Sequence, residues 1–294
     1  MTFGLVAQTF VNGINIGAMY GLIAVGLSLT FGVMKILNVA HGEFLMVGGY
    51  MAFWLFTLFD IDPLLGLPLT GIALFLLGAI CYKLLFSGLA RFHEETKVKN
   101  TLLVSFGLFL IFPQVARWLW TGDERAITPV YSGESFPILG VRCGYVPLAG
   151  LLVAVVVILA LHLLLTKTYF GKSIRATTEN WKSAKLMGIN VDRTYLITFA
   201  LGAALAGLAG VLVGMTQSVT PDMGMQWTLK ALIVLVLAGI GSIGGAFFAG
   251  LILGVVEAVS ANLPYIGPYT VALGLVIFLL ILMLRPQGLF GKEG

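Results

Sequence analysis

The chain has 294 residues, 59% of them hydrophobic and only 10% charged, and its mean hydropathy is +1.01. Soluble domains carry about 25% charged residues, so this composition excludes a water-soluble enzyme and fits a chain built for lipid. The formal net charge of +4 would suggest a nucleic-acid partner only if the bases shared one soluble face. They sit instead in connections between apolar runs, and no nucleic acid is expected.

In chain order the apolar runs fall at 5–33, 40–59, 63–86, 101–120, 146–166, 194–216, 228–241, 246–262 and 268–284. A span needs roughly 20 apolar residues. The expected fold class is therefore all-α and polytopic, with eight or nine transmembrane helices in one domain over 1–294. The first run is too long for a cleavable signal and lacks a basic flank before it, so it reads as a retained span. The seventh and eighth runs are short and parted only by Gly241 to Gly245. They read as discontinuous or re-entrant helices, or as full spans. Re-entrant backbone is tolerated at membrane depth only where protein or water surrounds it.

Lys and Arg in short loops set orientation. Lys83, Arg91, Lys97 and Lys99 mark one loop; Lys167, Lys172, Arg175, Lys182, Lys185 and Arg193 mark another, against only Glu179 and Asp192. The 121–145 loop carries Arg125 and Arg142 against Asp123, Glu124 and Glu134. The first two are expected in the cytoplasm and the third outside. Nine crossings then leave the N-terminus outside and the tail, with Arg285 and Lys292, inside.

Small residues recur at four-residue spacing: Gly13, Gly17 and Gly21, then Gly210 and Gly214, then Gly250, Gly254 and Ala258. Such stripes let membrane helices approach closely, or they border a pathway. Polar residues within spans are fewer. Asn12 and Asn15 either bond across helices or line a pathway. Asn38, His41 and Glu43 cluster at the start of the second span, where they satisfy a helix start or form a gate. Glu257 is the deepest carboxylate, expected to face the bundle interior, with Lys230 as a candidate partner. Arg117 is placed near the outer interface. The histidines, His41, His93 and His162, are scattered, and Cys81 and Cys143 lack metal spacing. No catalytic set and no metal site is expected.

Two motifs mislead. Gly171-Lys172-Ser173 resembles the end of a phosphate loop, but the required earlier glycine is Thr166. Gly239-Ile-Gly-Ser-Ile-Gly244 matches a dinucleotide fingerprint with no βαβ unit around it; a tight turn between helices is the better reading.

The segment of about 167–193 is the largest polar island. Ile174 to Met187 contains neither proline nor glycine and favours a helix. Asn180, Ala184 and Gly188 would share one stripe, Gly188 would end the helix, and Asp192 would cap the next span. This is either a surface helix obeying the charge rule or a docking device for a soluble partner.

Three stretches resemble the permease subunits of bacterial ABC importers for branched-chain amino acids. They are Ile36-Leu-Asn-Val-Ala-His-Gly-Glu-Phe44 with Val47-Gly-Gly-Tyr50, then Arg175-Ala-Thr-Thr-Glu-Asn with Ala184 and Leu186-Met-Gly-Ile-Asn190. The third is Ala238 to Ala246 with Gly250 to Glu257, and the tail Arg285-Pro-Gln-Gly-Leu-Phe-Gly fits too. The resemblance implies an inner-membrane subunit working with a second homologous permease, two cytoplasmic ATPases and a periplasmic binding protein. ATP would be used by the partners, with no cofactor on this chain. Glu179, Asn180, Ala184 and Gly188 would couple to an ATPase, and Asn12, Asn15, Asn38, His41, Glu43 and Glu257 would line the pathway or gate. The general coupling motif begins Glu-Ala-Ala, whereas this chain reads Thr-Thr-Glu-Asn-Trp and keeps chiefly Ala184 and Gly188. Urea or short amides are alternative cargoes for the same machine. An ion-coupled carrier or channel, with Glu257 and Lys230 as relay, is the alternative class.

Overall fold

A computed structural model describes residues 3–89, 94–138, 141–263, 267–285 and 287–291. Arg91, His93, Pro286 and Lys292 lie outside the described residues. The apolar runs become α1 (Phe3–Met34), α2 (His41–Phe59), α3 (Pro63–Cys81, continued by a π turn Tyr82–Phe86), α4 (Glu94–Trp120) and α5 (Tyr145–Lys167). The polar island forms α6 (Tyr169–Leu186). Then follow α7 (Val191–Thr216), α8 (Met223–Ala238), α9 (Ile243–Ala261) and α10 (Thr270–Leu284). Among the described residues, 7 helices are long and apolar enough to cross a membrane; α8 and most of α10 are shorter apolar helices. The protein is all-α and polytopic, apart from a small antiparallel hairpin in the 121–145 loop, β1 (Ser135–Ile138) with β2 (Val141–Gly144).

Hydropathy misplaced some ends. The fourth helix starts at Glu94 rather than 101 because Glu, Lys and Thr extend it without being apolar. Lys97 therefore lies in a helix, only 3% exposed, with its ammonium 5.9 Å over the Tyr195 ring. The eighth apolar run is not short: α9 has 19 residues and reaches back to Ile243.

Small residues hold the bundle together. Helix α1 runs antiparallel to α9, with Gly13 against Val255, Gly17 against Leu251 and Gly21 against Phe247. A methyl added at Gly17 would come within 2.7 Å of Leu251 Cα, and one at Gly250 within 2.4 Å of the Gly21 nitrogen. Helices α2 and α7 meet the same way, a methyl at Gly48 falling 2.3 Å from Gly207 O. Lipid is as apolar as the side chains, so this backbone contact, rather than exclusion of water, drives association. Pathway-lining is thus the lesser role for these stripes.

The contacts also fix which segments share an end. The hairpin docks on the start of α1 through two bonds, Arg142 N–H to Gln8 Oε1 at 2.8 Å and Gln8 Nε2–H to Arg142 O at 2.9 Å. Tyr131 of the same loop donates to Asp62 Oδ2 at 2.8 Å, and burial pushes its phenol above the usual range. Thr216, at the end of α7, reaches Met19. At the opposite end, the α8–α9 turn meets Gly32 near the end of α1. There the tail returns, Leu289 N–H bonding Leu237 O (2.8 Å) and Phe290 N–H bonding Ala238 O (3.0 Å). The glycine fingerprint is this turn: Gly239 and Gly241 have φ of +93° and +87°, and Ser242 caps α9 by accepting from Gly245 N–H.

Candidate functional site

Three places carry the polar residues singled out by the sequence. The first is α6, set between α5 and α7 at the basic end. Thr168 starts it, accepting from Gly171 N–H at 3.1 Å. Gly171 is needed for packing, since a methyl there would lie 2.0 Å from Leu165 O; Gly171-Lys172-Ser173 is a helix start, not a phosphate cradle. The expected single stripe does not form. Asn180 has φ −154° and ψ 101°, which breaks α6 in two, and its Oδ1 accepts from Ser183 N–H (3.0 Å) to restart the helix. Beyond the break, Ala184 turns inward and is 4% exposed, so its face is not available to a partner. Glu179 is exposed. Gly188, at φ +83°, ends the helix as expected: its N–H bonds Lys185 O and Ile189 N–H bonds Ala184 O, both at 3.1 Å. These two bonds are a Schellman ending. Asn190, not Asp192, caps α7, accepting from Arg193 N–H at 2.9 Å. What the sequence reading missed is the apolar tip: Leu186 and Met187 are 88% and 84% exposed among lysines. Beside them Trp181, Lys185, Gly188 and Asn190 border a groove of about 680 Å³. The signal was there, as two large apolar side chains just before a helix-ending glycine.

The second place lies at mid-depth, where α2 begins inside the bundle. His41, its first residue, is level with Ile23 and Gly26 of α1, roughly two to three turns before that helix ends. The preceding loop is buried. Ser105 serves it, donating to Leu37 O (3.3 Å) and accepting from Val39 N–H (3.2 Å), while Asn38 Oδ1 accepts from Ala40 N–H (3.1 Å). His41 Nε2 meets Ile23 O at 3.1 Å. Asn38 and His41 thus hold backbone in place. Glu43 differs: it is 1% exposed, and neither carboxylate oxygen has a hydrogen-bond partner among the described residues. It lies against Gly224 at the start of α8, where a methyl would come within 2.2 Å of Oε1. Glu257 is held by Tyr20, whose hydroxyl donates to Oε2 at 2.7 Å, and by an ion pair with Lys230 across α8 and α9. Arg117 pairs with Asp222.

The third is a cavity of about 180 Å³ in the half of the bundle that bears the hairpin. Asn12, Asn15, Ile16 and Met19 of α1 line it, with Thr216 and Gln217 at the end of α7 and Pro147 in the first turn of α5. Asn12 Oδ1 accepts from Gln8 Nε2–H at 3.1 Å. The structure therefore brings Asn12 and Asn15 together, and keeps Asn38, His41 and Glu43 in one deeper group. It places Glu257 with Lys230 on another side of α1.

A bundle of apolar helices of membrane-spanning length, held by backbone-close contacts, defines a multi-spanning membrane protein. The chain belongs to the family described as branched-chain amino acid transport system / permease component, whose sequence model matches residues 9–284. It is 33% identical over 296 residues to the high-affinity branched-chain amino acid transport system permease protein BraD of Pseudomonas aeruginosa, covering 97% of this chain and 95% of that one. To the corresponding permease protein LivH of Escherichia coli K12 it is 31% identical over 297 residues, with the same coverage. A probable branched-chain amino acid transport permease protein LivH from Methanocaldococcus jannaschii is 29% identical over 283 residues, or 92% of this chain and 88% of that one. No solved structure matches.

Proposed function

We propose that this chain is the permease subunit of an ATP-driven importer that carries branched-chain amino acids across the bacterial inner membrane. It works with a second homologous permease, two cytoplasmic ATPases and a periplasmic binding protein, and holds no nucleotide itself. The observation that carries this reading is similarity over nearly the whole chain, 97% of it, to permeases of that transport system. The distribution of charge supports the orientation: Lys35, Lys83, Lys167, Lys172, Arg175 and Lys185 gather at the end that bears α6, which the positive-inside rule assigns to the cytoplasm.

In this reading α6 is the part an ATPase grips. Its exposed Leu186 and Met187 are the buried anchors of the contact, and the surrounding lysines its rim. The helix is braced at both ends, by Thr168 and Gly171 onto α5 and by the Gly188–Asn190 ending onto α7. Displacement of α6 is therefore passed to two spans instead of being absorbed in a slack loop. ATP drives transport only if the ATPase pair binds one arrangement of these spans better than the other. The ion-coupled carrier reading is disfavoured by the pairing of Glu257, since Lys230 and Tyr20 already occupy its oxygens.

The test is mass spectrometry of what co-purifies with the tagged chain in mild detergent, followed by uptake in reconstituted liposomes. Two ATPases and a second permease, with leucine uptake that requires ATP inside, are expected. A chain isolated alone, or uptake that follows an ion gradient, would overturn the proposal.

A further inference from the structure

We propose that the cavity between α1, the first turn of α5 and the end of α7 is a subsite for the zwitterionic head of an amino acid, with Asn15 as its selecting contact. The proposal rests on the importer reading above and adds where, and by what chemistry, the permease itself meets its cargo.

Among the described residues the cavity is lined by uncharged groups. Its polarity comes from side-chain amides, one hydroxyl and two helix ends of opposite sign. Pro147, which has no N–H to offer, lies in the first turn of α5, and the Tyr145 N–H is taken by Glu134 O at 3.2 Å, so this end contributes the helix dipole rather than a lining N–H. Thr216 is the last residue of α7 and Gln217 its C-cap. A helix start favours negative charge and a helix end positive charge, so a single site touching both suits a ligand that carries each sign and no net charge. An anion or a cation alone would be favoured at one end and opposed at the other. Broken or ending helices at a membrane-protein cavity serve charged ligand groups in this way.

Asn15 is the independent sign that something occupies the cavity. It is 9% exposed, lines the cavity, and makes no side-chain hydrogen bond to the described residues. Of its polar neighbours, Asn12 Oδ1 accepts from Gln8 and the Thr216 hydroxyl donates to Val213 O at 3.0 Å. The Asn15 amide opens onto the cavity rather than being sealed within the bundle, so a ligand or water entering there is its available partner. The amide has both a donor and an acceptor end, so it can serve either half of the zwitterion. Ile16 and Met19 face the same space, and Met adapts readily to an apolar side chain. The volume of about 180 Å³ lies below the roughly 300–1,000 Å³ of pockets for drug-sized ligands, which fits one small molecule. Urea, the alternative cargo, would gain nothing from helix ends of opposite sign.

The experiment uses the full complex in lipid nanodiscs, with Cys143→Ser and Ile16→Cys, and follows maleimide labelling of position 16. Leucine is expected to protect it, whereas 4-methylpentanoate, lacking the ammonium, and isopentylamine, lacking the carboxylate, are not. Adding Asn15→Leu should abolish protection and Asn15→Gln should restore part of it. In liposomes Asn15→Leu should slow leucine uptake roughly ten- to hundredfold, the effect of losing a hydrogen bond to a charged group. Equal protection by all three ligands, or by none while Asn15→Leu transports leucine like the wild type, would overturn the subsite and leave the importer reading standing. Wild-type complex that takes up no leucine would instead refute the importer reading.

Discussion

Lys230→Met should destabilise the bundle far more than Tyr20→Phe, although both residues contact the same carboxylate. The Lys230 and Glu257 side chains are only 13% and 11% exposed. Removing the lysine strands a carboxylate with one neutral donor, Tyr20. Breaking a buried ion pair by deleting one partner costs roughly 3–5 kcal/mol. A hydrogen bond between membrane helices averages about 0.6 kcal/mol and reaches at most about 1.7, so Tyr20→Phe should stay within that smaller range. Replacing both charges, Lys230→Met with Glu257→Leu, should recover most of the loss, because a well-packed apolar pair of similar volume is often as stable as the ion pair. The coupling energy should then far exceed the roughly 0.3–0.5 kcal/mol scatter of independent sites. The assay is reversible unfolding of the purified chain in detergent–lipid mixtures, followed by tryptophan fluorescence. Trp227 is a local reporter, its ring centre 5.5 Å from that of Tyr20. Additive single effects, or a Tyr20→Phe loss as large as that of Lys230→Met, would show that the Lys230–Glu257 pair is not a coupled buried ion pair.

Gly17→Leu should prevent α1 and α9 from closing and sharply reduce the amount of folded protein recovered, whereas Gly4→Leu, with open space around it, should be recovered normally on fluorescence-detected gel filtration. Gly188→Val should cost at least about 1–2 kcal/mol, because φ is +83° there, while Gly188→Asn should cost less; equal unfolding midpoints for the two would count against the helix ending described. Leu186→Asp with Met187→Asp should leave the isolated chain's unfolding unchanged yet reduce ATPase co-purification, since both side chains are exposed. Glu257→Gln should weaken the bundle but leave uptake dependent on ATP, and uptake that came to follow a proton gradient would contradict the reading of Glu257 as a paired structural group.

Much of the fold was legible because lipid imposes simple arithmetic: apolar runs of span length become helices, and glycines every four residues let them pack closely. Helix ends with local chemistry were legible too, as at Gly188. Asp192 was a plausible cap, but the nearby Asn190 took that place, and no rule of composition ranks two adjacent capping side chains. The break at Asn180 was hidden because the residues around it favour helix, while its own side chain caps the next turn from within the run. The polar extension of α4 to Glu94 and the burial of Lys97 escaped a hydropathy reading that sees only apolar length.

The class of molecule and the order of its apolar helices could be read from the chain alone, because each depends on residues near one another in the sequence or on their sum. Which polar residues come together is a property of the packed bundle. Asn15 and Gln217 line one cavity, Tyr20 and Lys230 converge on Glu257, and Glu43 lies against Gly224 with no hydrogen-bond partner among the described residues. These groupings follow from how closely glycine faces let distant helices approach, and that distance is set by packing of the whole bundle rather than by any local pattern.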